Sequence, residues 1–233
     1  VGVDNVLSRP YDVLVKNFIL LEKAIEIGQI QKDLKRFLFT STSEVYAQTL
    51  KNFGLEFPTP ESTPLTVGSP FEKRTTYLLS KIYGEAMCNF SDIPFTIFRP
   101  HNFYGPRMGN SHVIPQLINK IYQASDKIDI YTPLHTRTFC YIDDAIQIMT
   151  RLAELNSTNK GYFNIGNEKN EISMLDLANI IMKIMNKKLE INILTESNSS
   201  PERRCPSMEK TNAHIEYEMA ISLKKGVENC YKW

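Results

Sequence analysis

The sequence predicts an α/β fold with a mainly parallel sheet, and three observations carry that expectation. Short apolar runs of strand length alternate along the chain with segments whose apolar residues recur at helical spacing. The runs are continuous, as in strands buried on both faces. Each is followed by a polar or glycine-bearing stretch, at Ser41 to Glu44, Pro100 to Gly105 and Gly166-Asn167, which is where open α/β sheets hold ligands.

The elements follow in order. Between about Tyr11 and Ile27, Leu14, Phe18, Leu21 and Ile25 mark a helix that Gly28 stops. Arg36 to Ser41 is an aromatic-rich strand, and its polar end runs on to Glu44. From Ala47 to Thr75, Pro58, Pro60, Pro64, Pro70, Gly54 and Gly68 predict a long irregular connection. A helix from about Thr76 to Phe90 comes next, then a buried strand from Pro94 to Arg99, a loop from Pro100 to Asn110 and a helix from Val113 to Gln123. Lys127 to Tyr131 and Thr138 to Ile142 read as short strands, and Asp143 to Leu155 as a helix with acidic residues in its first turn. Tyr162 to Gly166 is strand-like. Ser173 to Met185 opens on a capping box made by Ser173 and Asp176. Leu189 to Leu194 alternates like a strand, and Thr195 to Pro206 is loop-like. The dense short elements after about Leu155 predict a smaller C-terminal lobe with no flexible linker before it.

Composition narrows the function. At 233 residues and 42% hydrophobic content the chain can bury a sizeable core, which excludes disorder, collagen and fibre. Twenty-seven basic against 26 acidic residues leave a formal charge of +1, so no general electrostatic drive toward nucleic acid or anionic lipid exists. No run nears the roughly 18 apolar residues of a membrane helix, and a soluble protein is expected. Cys88, Cys140, Cys205 and Cys230 lack paired spacing, as do His101, His112, His135 and His214. Neither a metal site nor a disulfide framework is expected, and a reducing cytoplasm fits best. The chain opens on Val1, which reads as an excised piece.

Tyr77 and Lys81 lie four residues apart on a predicted helix, so both project from one face, about 6 Å apart along the axis. A phenol titrates near 10, and a cation beside it favours the phenolate. At about 4 Å and an effective dielectric near 20 the attraction is about 4 kcal/mol, an upper bound of roughly three pKa units. Such a base would work near neutral pH. Pairs of this spacing also arise by chance at this tyrosine and lysine content, so the flanking words matter.

Those words are Phe39-Thr40-Ser41-Thr42-Ser43-Glu44-Val45-Tyr46 upstream and Arg99-Pro100-His101-Asn102-Phe103-Tyr104-Gly105-Pro106 downstream. Further along come Arg137-Thr138-Phe139-Cys140-Tyr141-Ile142-Asp143-Asp144, Phe163-Asn164-Ile165-Gly166-Asn167 and Arg203-Arg204-Cys205-Pro206-Ser207. Together they resemble the extended short-chain dehydrogenase/reductase family, in the branch that acts on nucleotide sugars. The resemblance implies a Rossmann-like parallel sheet with a smaller C-terminal substrate-binding lobe. It divides the chain into a partial NAD-binding domain over 1–155, with substrate-lobe segments interleaved from about residue 100, and a mainly substrate-binding lobe over 156–233.

The same resemblance implies roles. Tyr77 is the base, Lys81 holds the nicotinamide ribose and tunes Tyr77, and Thr42 bonds the reacting sugar oxygen. Ser41, Arg99 and Pro100 join Tyr77 and Lys81 against NAD. Asn102, Arg137 and Arg204 meet a nucleoside diphosphate sugar, the arginines through forks suited to its diphosphate; Arg203 competes with Arg204. Transient oxidation at sugar C4 gives a keto group that acidifies its neighbour, opening epimerisation, dehydration or, from a C5 carboxylate, decarboxylation. Glu44 assists the second step or merely solvates the strand end. Ser43 stands where the dehydratase pattern has an aspartate, which disfavours dehydration. Family members of this kind imply a homodimer through the outer face of Thr76 to Phe90.

One part of the family pattern is missing. The ten glycines include no Gly-x-Gly, so the phosphate-cradling turn that opens such folds is absent from this sequence. The first residues resemble the middle of the family's nucleotide-binding half, and a truncated enzyme is expected. A UDP-glucuronate-type decarboxylase and a non-catalytic sugar-nucleotide-binding or interaction domain stand as alternatives.

Overall fold

The computed structural model describes residues 3–194 and 202–233. In chain order the elements are α1 (Val3–Ser8), α2 (Pro10–Ile30), β1 (Phe37–Thr40), α3 (Ala47–Phe53), α4 (Thr75–Asn89), β2 (Phe95–Pro100), β3 (Phe103–Tyr104), α5 (Val113–Gln123), β4 (Lys127–Tyr131), β5 (Thr136–Arg137) and β6 (Cys140–Tyr141). They continue with α6 (Ile142–Glu154), β7 (Gly161–Ile165), β8 (Ile172–Ser173), α7 (Met174–Ile184), β9 (Glu190–Leu194), β10 (Arg203–Arg204), α8 (Glu209–Asn212) and α9 (Leu223–Lys232).

The chain forms two compact units. The first is built from Val1–Pro100, Ile148–Ile165 and Ser207–Glu216, and the second from His101–Gln147, Gly166–Pro206 and Tyr217–Trp233. The backbone crosses between units five times, first between Pro100 and His101. Each unit therefore completes its core with segments distant in sequence, which no local change of composition announces.

In the first unit β1, β2 and β7 form a parallel sheet in the order β1-β2-β7. Phe95 to Arg99 of β2 are all buried, as expected of a central parallel strand covered on both faces. Helix α2 starts on Pro10, whose missing N–H costs nothing in the first turn. It packs on α4 and turns Leu21 and Ile25 into a core with Cys88, Ile93, Phe95 and Ile97. Gly84 permits the close approach of α4 to β1: a Cβ there would run into the Phe39 ring and reach 3.0 Å from Leu21 Cδ2.

The second unit gathers its short strands around α5, α7 and α9. β3 pairs with β6 and β4 with β9, both parallel, and β5 lies between parallel β10 and antiparallel β8. Ile114, Leu117 and Ile121 of α5 meet Leu177 and Ile181 of α7 and Val227 of α9 in one core. The Ser173 capping box is present: its hydroxyl accepts the Asp176 N–H at 3.0 Å and donates to the Asp176 carboxylate at 2.7 Å. Asp144 ties down the segment before α9, accepting the Tyr217 hydroxyl at 2.6 Å and the Ala220 and Ile221 N–H groups at 2.9 and 3.2 Å.

Three local expectations change. The connection from Ala47 to Thr75 is not irregular throughout, because a 3₁₀ turn at Ser43–Tyr46 leads directly into α3, and Val45 and Tyr46 bury against Leu78. The strand expected from Thr138 to Ile142 shortens to β6, and a separate strand, β5, precedes it in a different sheet. Of the loop expected from Thr195 to Pro206, residues 195–201 lie outside the described residues, and Arg203–Arg204 form β10. All four cysteines are free. Among the described residues no helix is long and apolar enough to cross a membrane, and no group of three or more His, Cys, Asp or Glu side chains is placed to hold a metal ion.

Candidate active site

The end of β1 and one face of α4 make the site in the first unit. β1 stops after Thr40, and Thr42 caps the 3₁₀ turn, its hydroxyl accepting the Glu44 N–H at 3.3 Å. Two turns of α4 bring Tyr77 and Lys81 to the same strand end. Lys81 Nζ donates to the Thr40 carbonyl at 2.7 Å and stands 5.0 Å from the Phe39 ring centroid and 5.9 Å from that of Tyr77. The Tyr77 phenol faces Thr42 and lies within reach of the Glu44 charge. Thr42, Glu44, Tyr77 and Lys81 thus meet in one place.

The electrostatics differ from the sequence expectation. Burial pushes the Tyr77 phenol above its ordinary value, the Thr42 hydroxyl works against that rise, and the Glu44 charge adds to it. Lys81 is held below its ordinary value by burial, with Glu85 opposing. Its ammonium is turned to a carbonyl oxygen rather than to the phenol. In this geometry the phenol has therefore not been brought toward neutrality.

Two residues expected against a cofactor are engaged elsewhere. Ser41 is buried and its hydroxyl donates to Glu85 Oε1 at 2.6 Å. Arg99 is also buried: Nε and Nη2 grip the Glu85 carboxylate at 2.9 and 2.6 Å, while Nη1 donates to the Tyr46 hydroxyl at 2.7 Å and the Glu61 carbonyl at 3.2 Å. The reason is burial, since a guanidinium out of water needs every donor partnered. Pro100 ends β2 beside it, opposite Ile165. Glu85, which sequence reasoning missed, holds both. Its signal was its place four residues after Lys81, on the face that already carries Tyr77.

In the second unit Asn102 sits at φ +46°, a left-handed conformation asparagine tolerates, and its amide donates to the Thr138 carbonyl at 2.8 Å. Arg137 and Arg204 are directly paired in the parallel β5–β10 register. Arg137 is buried and Nη1 donates to the Thr136 and Glu202 carbonyls at 2.6 and 3.1 Å. Arg203, the neighbour expected to compete with Arg204, is gripped by Glu171 through two 2.8 Å bonds. Residues paired in register on adjacent strands project from the same face of the sheet.

A parallel α/β sheet with a tyrosine and a lysine raised from one helix toward a strand-end hydroxyl is the arrangement of the short-chain dehydrogenase/reductase class. The chain belongs to the NAD dependent epimerase/dehydratase family, whose profile matches residues 1–166. It is 31% identical over 208 residues to UDP-glucuronic acid decarboxylase 3 of Arabidopsis thaliana, which covers 86% of this chain and 58% of the relative. It is 28% identical over 209 residues to UDP-D-apiose/UDP-D-xylose synthase 1 of the same plant, covering 77% of this chain and 53% of that protein. The chain thus spans less than two thirds of the length of these relatives. Among solved structures, UDP-glucuronic acid 4-epimerase from Bacillus cereus in complex with NAD superposes with a TM-score of 0.77 at 26% identity, over 93% of this chain and 66% of that one. RMD from Pseudomonas aeruginosa complexed with NADPH shares the fold, with a TM-score of 0.83 at 17% identity over 99% and 76% of the two chains.

Proposed function

We propose that the protein containing this chain is an NAD-dependent nucleotide-sugar enzyme that works through transient oxidation at sugar C4. The single observation that carries the reading is the convergence of Tyr77, Lys81 and Thr42 at the end of β1. The residues present suit the nicotinamide ribose side of the cofactor, where Lys81 offers a donor at the strand end. No Gly-x-Gly turn in this sequence suits the pyrophosphate. When bound, NAD supplies the hydride acceptor.

The chain's own residues handle the proton. Tyr77 takes it from the sugar 4-hydroxyl, Thr42 holds that oxygen, and the Lys81 ammonium favours the phenolate when it turns to the ribose beside it. Because burial raises Tyr77 in the geometry seen here, cation and sugar together must lower it for turnover. Arg137 and Arg204 grip the diphosphate. The decarboxylase resemblance favours UDP-glucuronic acid as substrate and gives Glu44, close to the phenol, the second step. A homodimer through the outer side of α4, where Tyr83 and Phe90 are exposed and Phe18 of α2 packs 5.6 Å from Tyr83, belongs to the same proposal. So does a cytoplasmic location, supported by four free cysteines.

The test uses the whole protein with NAD and UDP-glucuronic acid, products being resolved by NMR. A pentose with released carbon dioxide marks decarboxylation, and a retained carboxylate with inverted C4 marks epimerisation. Tyr77→Phe should lower kcat by about 10²- to 10⁴-fold while sugar-nucleotide affinity in calorimetry stays put. Full activity in that variant would refute the assignment.

A further inference from the structure

Glu85 stands one turn beyond Lys81 and two beyond Tyr77 on the same face of α4. Its side chain and that of Arg99 are 12% and 4% exposed. Oε1 accepts both Ser41 Oγ at 2.6 Å and Arg99 Nε at 2.9 Å, and Oε2 accepts Arg99 Nη2 at 2.6 Å. From Arg99 the bonding runs on through the Tyr46 hydroxyl to Asn164 Oδ1 at 2.9 Å, and the Asn164 N–H reaches Glu61 Oε1 at 2.7 Å. One carboxylate on a helix thereby joins the end of β1, β2, the 3₁₀ turn, the proline-rich connection and β7.

Thr42 is the next residue after the clamped Ser41. An α-helix advances about 1.5 Å per residue, so a small slide of α4 along β1 would part the phenol from the hydroxyl. Apolar contacts around Gly84 tolerate such a slide, because they have no direction. Hydrogen bonds to a shared carboxylate do not. Ser41 is held twice, by Glu85 through its hydroxyl and by Phe98 of β2 through its N–H at 2.7 Å. On its other side the Thr40 carbonyl is held by Lys81. Thr42 follows immediately after this doubly held pair.

We propose that Glu85 is a positioning residue: by clamping Ser41 and Arg99 it sets the height of α4 at which the Tyr77 phenol meets the Thr42 hydroxyl. The proposal rests on the catalytic reading of Tyr77 given above. The charged and titratable groups facing Glu85 are Lys81 and Cys88 from its own helix, Arg99 from β2, Tyr46 and, through Arg99, Glu61. Glu85 also counters the burial that lowers Lys81, so reach and charge must be separated by experiment.

Three variants of the whole protein do that: Glu85→Ala removes the clamp, Glu85→Gln keeps its reach without charge, and Glu85→Asp keeps charge but is one methylene short. Two readouts are needed. One is the split between kcat and KM with NAD and UDP-glucuronic acid. The other is Tyr77 ionisation without substrate, taken as the ultraviolet tyrosinate signal lost when Tyr77→Phe is introduced into each background. Glu85→Ala is expected to lower kcat on the order of 10²-fold, as a misplacement of about 1 Å does, with KM changed less than about threefold. The Tyr77 midpoint should rise as the Thr42 contribution is lost. Glu85→Gln should recover part of both, and Glu85→Asp neither.

If Glu85→Ala lowers only the melting temperature and leaves kcat and the Tyr77 midpoint at parental values, the positioning role is refuted. It is equally refuted if Glu85→Asp recovers as much as Glu85→Gln, which would assign the effect to charge. Should Glu85→Ala fail to fold, the Gln and Asp pair decides alone. A parent that does not turn over UDP-glucuronic acid would sink the substrate reading, while the tyrosinate midpoints would still report the clamp.

Discussion

Two arginine–glutamate pairs in this molecule have the same fork geometry and opposite surroundings. Arg99 grips Glu85 through Nε and Nη2 in the first unit, and Arg203 grips Glu171 through the same two nitrogens in the second. The first pair is 4% and 12% exposed, the second 44% and 23%. Burial works against the Arg99 charge, yet Glu85 and Tyr46 hold it above its ordinary value. The lesson is that identical contacts do different work: a buried fork is a constraint on geometry because neither partner can be left alone, whereas a wet fork is an adjustable surface feature.

Breaking the buried fork should have the largest effect. Arg99→Ala leaves the Glu85 carboxylate without its main partner and removes one donor to the Tyr46 hydroxyl, at a cost of about 3–5 kcal/mol in urea unfolding. Replacing both partners by methionine should cost clearly less than Arg99→Ala, since no unpaired charge remains. A loss below about 1 kcal/mol for Arg99→Ala would show that the pair is not a constraint at all. Breaking the wet fork should matter far less. Arg203→Ala is expected to cost about 0–1 kcal/mol, and the difference from the parent should shrink between about 0.15 M and about 1 M salt. A cost that salt leaves unchanged would mean the pair is effectively buried.

The smallest effect is one of pH. The Arg203 fork holds the Glu171 carboxyl below its ordinary value, helped by the Thr136 hydroxyl and opposed by burial. A group whose native pKa is depressed contributes stability above its unfolded pKa and loses it as pH falls through the native value. The stability gap between parent and Arg203→Ala should therefore be flat near neutrality and close in acid. A gap that persists after carboxylates are protonated would rule out that ion pair as its source.

Legibility followed the range of the forces involved. α5 runs from Val113 to Gln123 as read, and β2 lies within one residue of its expected ends, because each shows its pattern within its own length. α3 escaped notice because seven residues among prolines carry little periodicity, and its neighbours Val45 and Tyr46 are stabilised by Leu78 of a distant helix. The shortening of the Thr138 to Ile142 strand to β6, with β5 just before it, was equally hidden, since the two pair with different partners. In the site, the four-residue spacing of Tyr77 and Lys81 was readable. The commitment of Ser41 and Arg99 to Glu85 was not.

The sequence by itself determined the longer helices and strands, and that a phenol and an ammonium would share a helical face. All of these follow from periodicities of 2 and 3.6 residues, which a chain carries before it folds. Only the tertiary structure decided that the Lys81 ammonium turns to Thr40, that Arg137 and Arg204 lie side by side, and that one carboxylate gathers Ser41 and Arg99. A buried polar group must find partners wherever the fold supplies them, and that choice is made across the chain rather than along it.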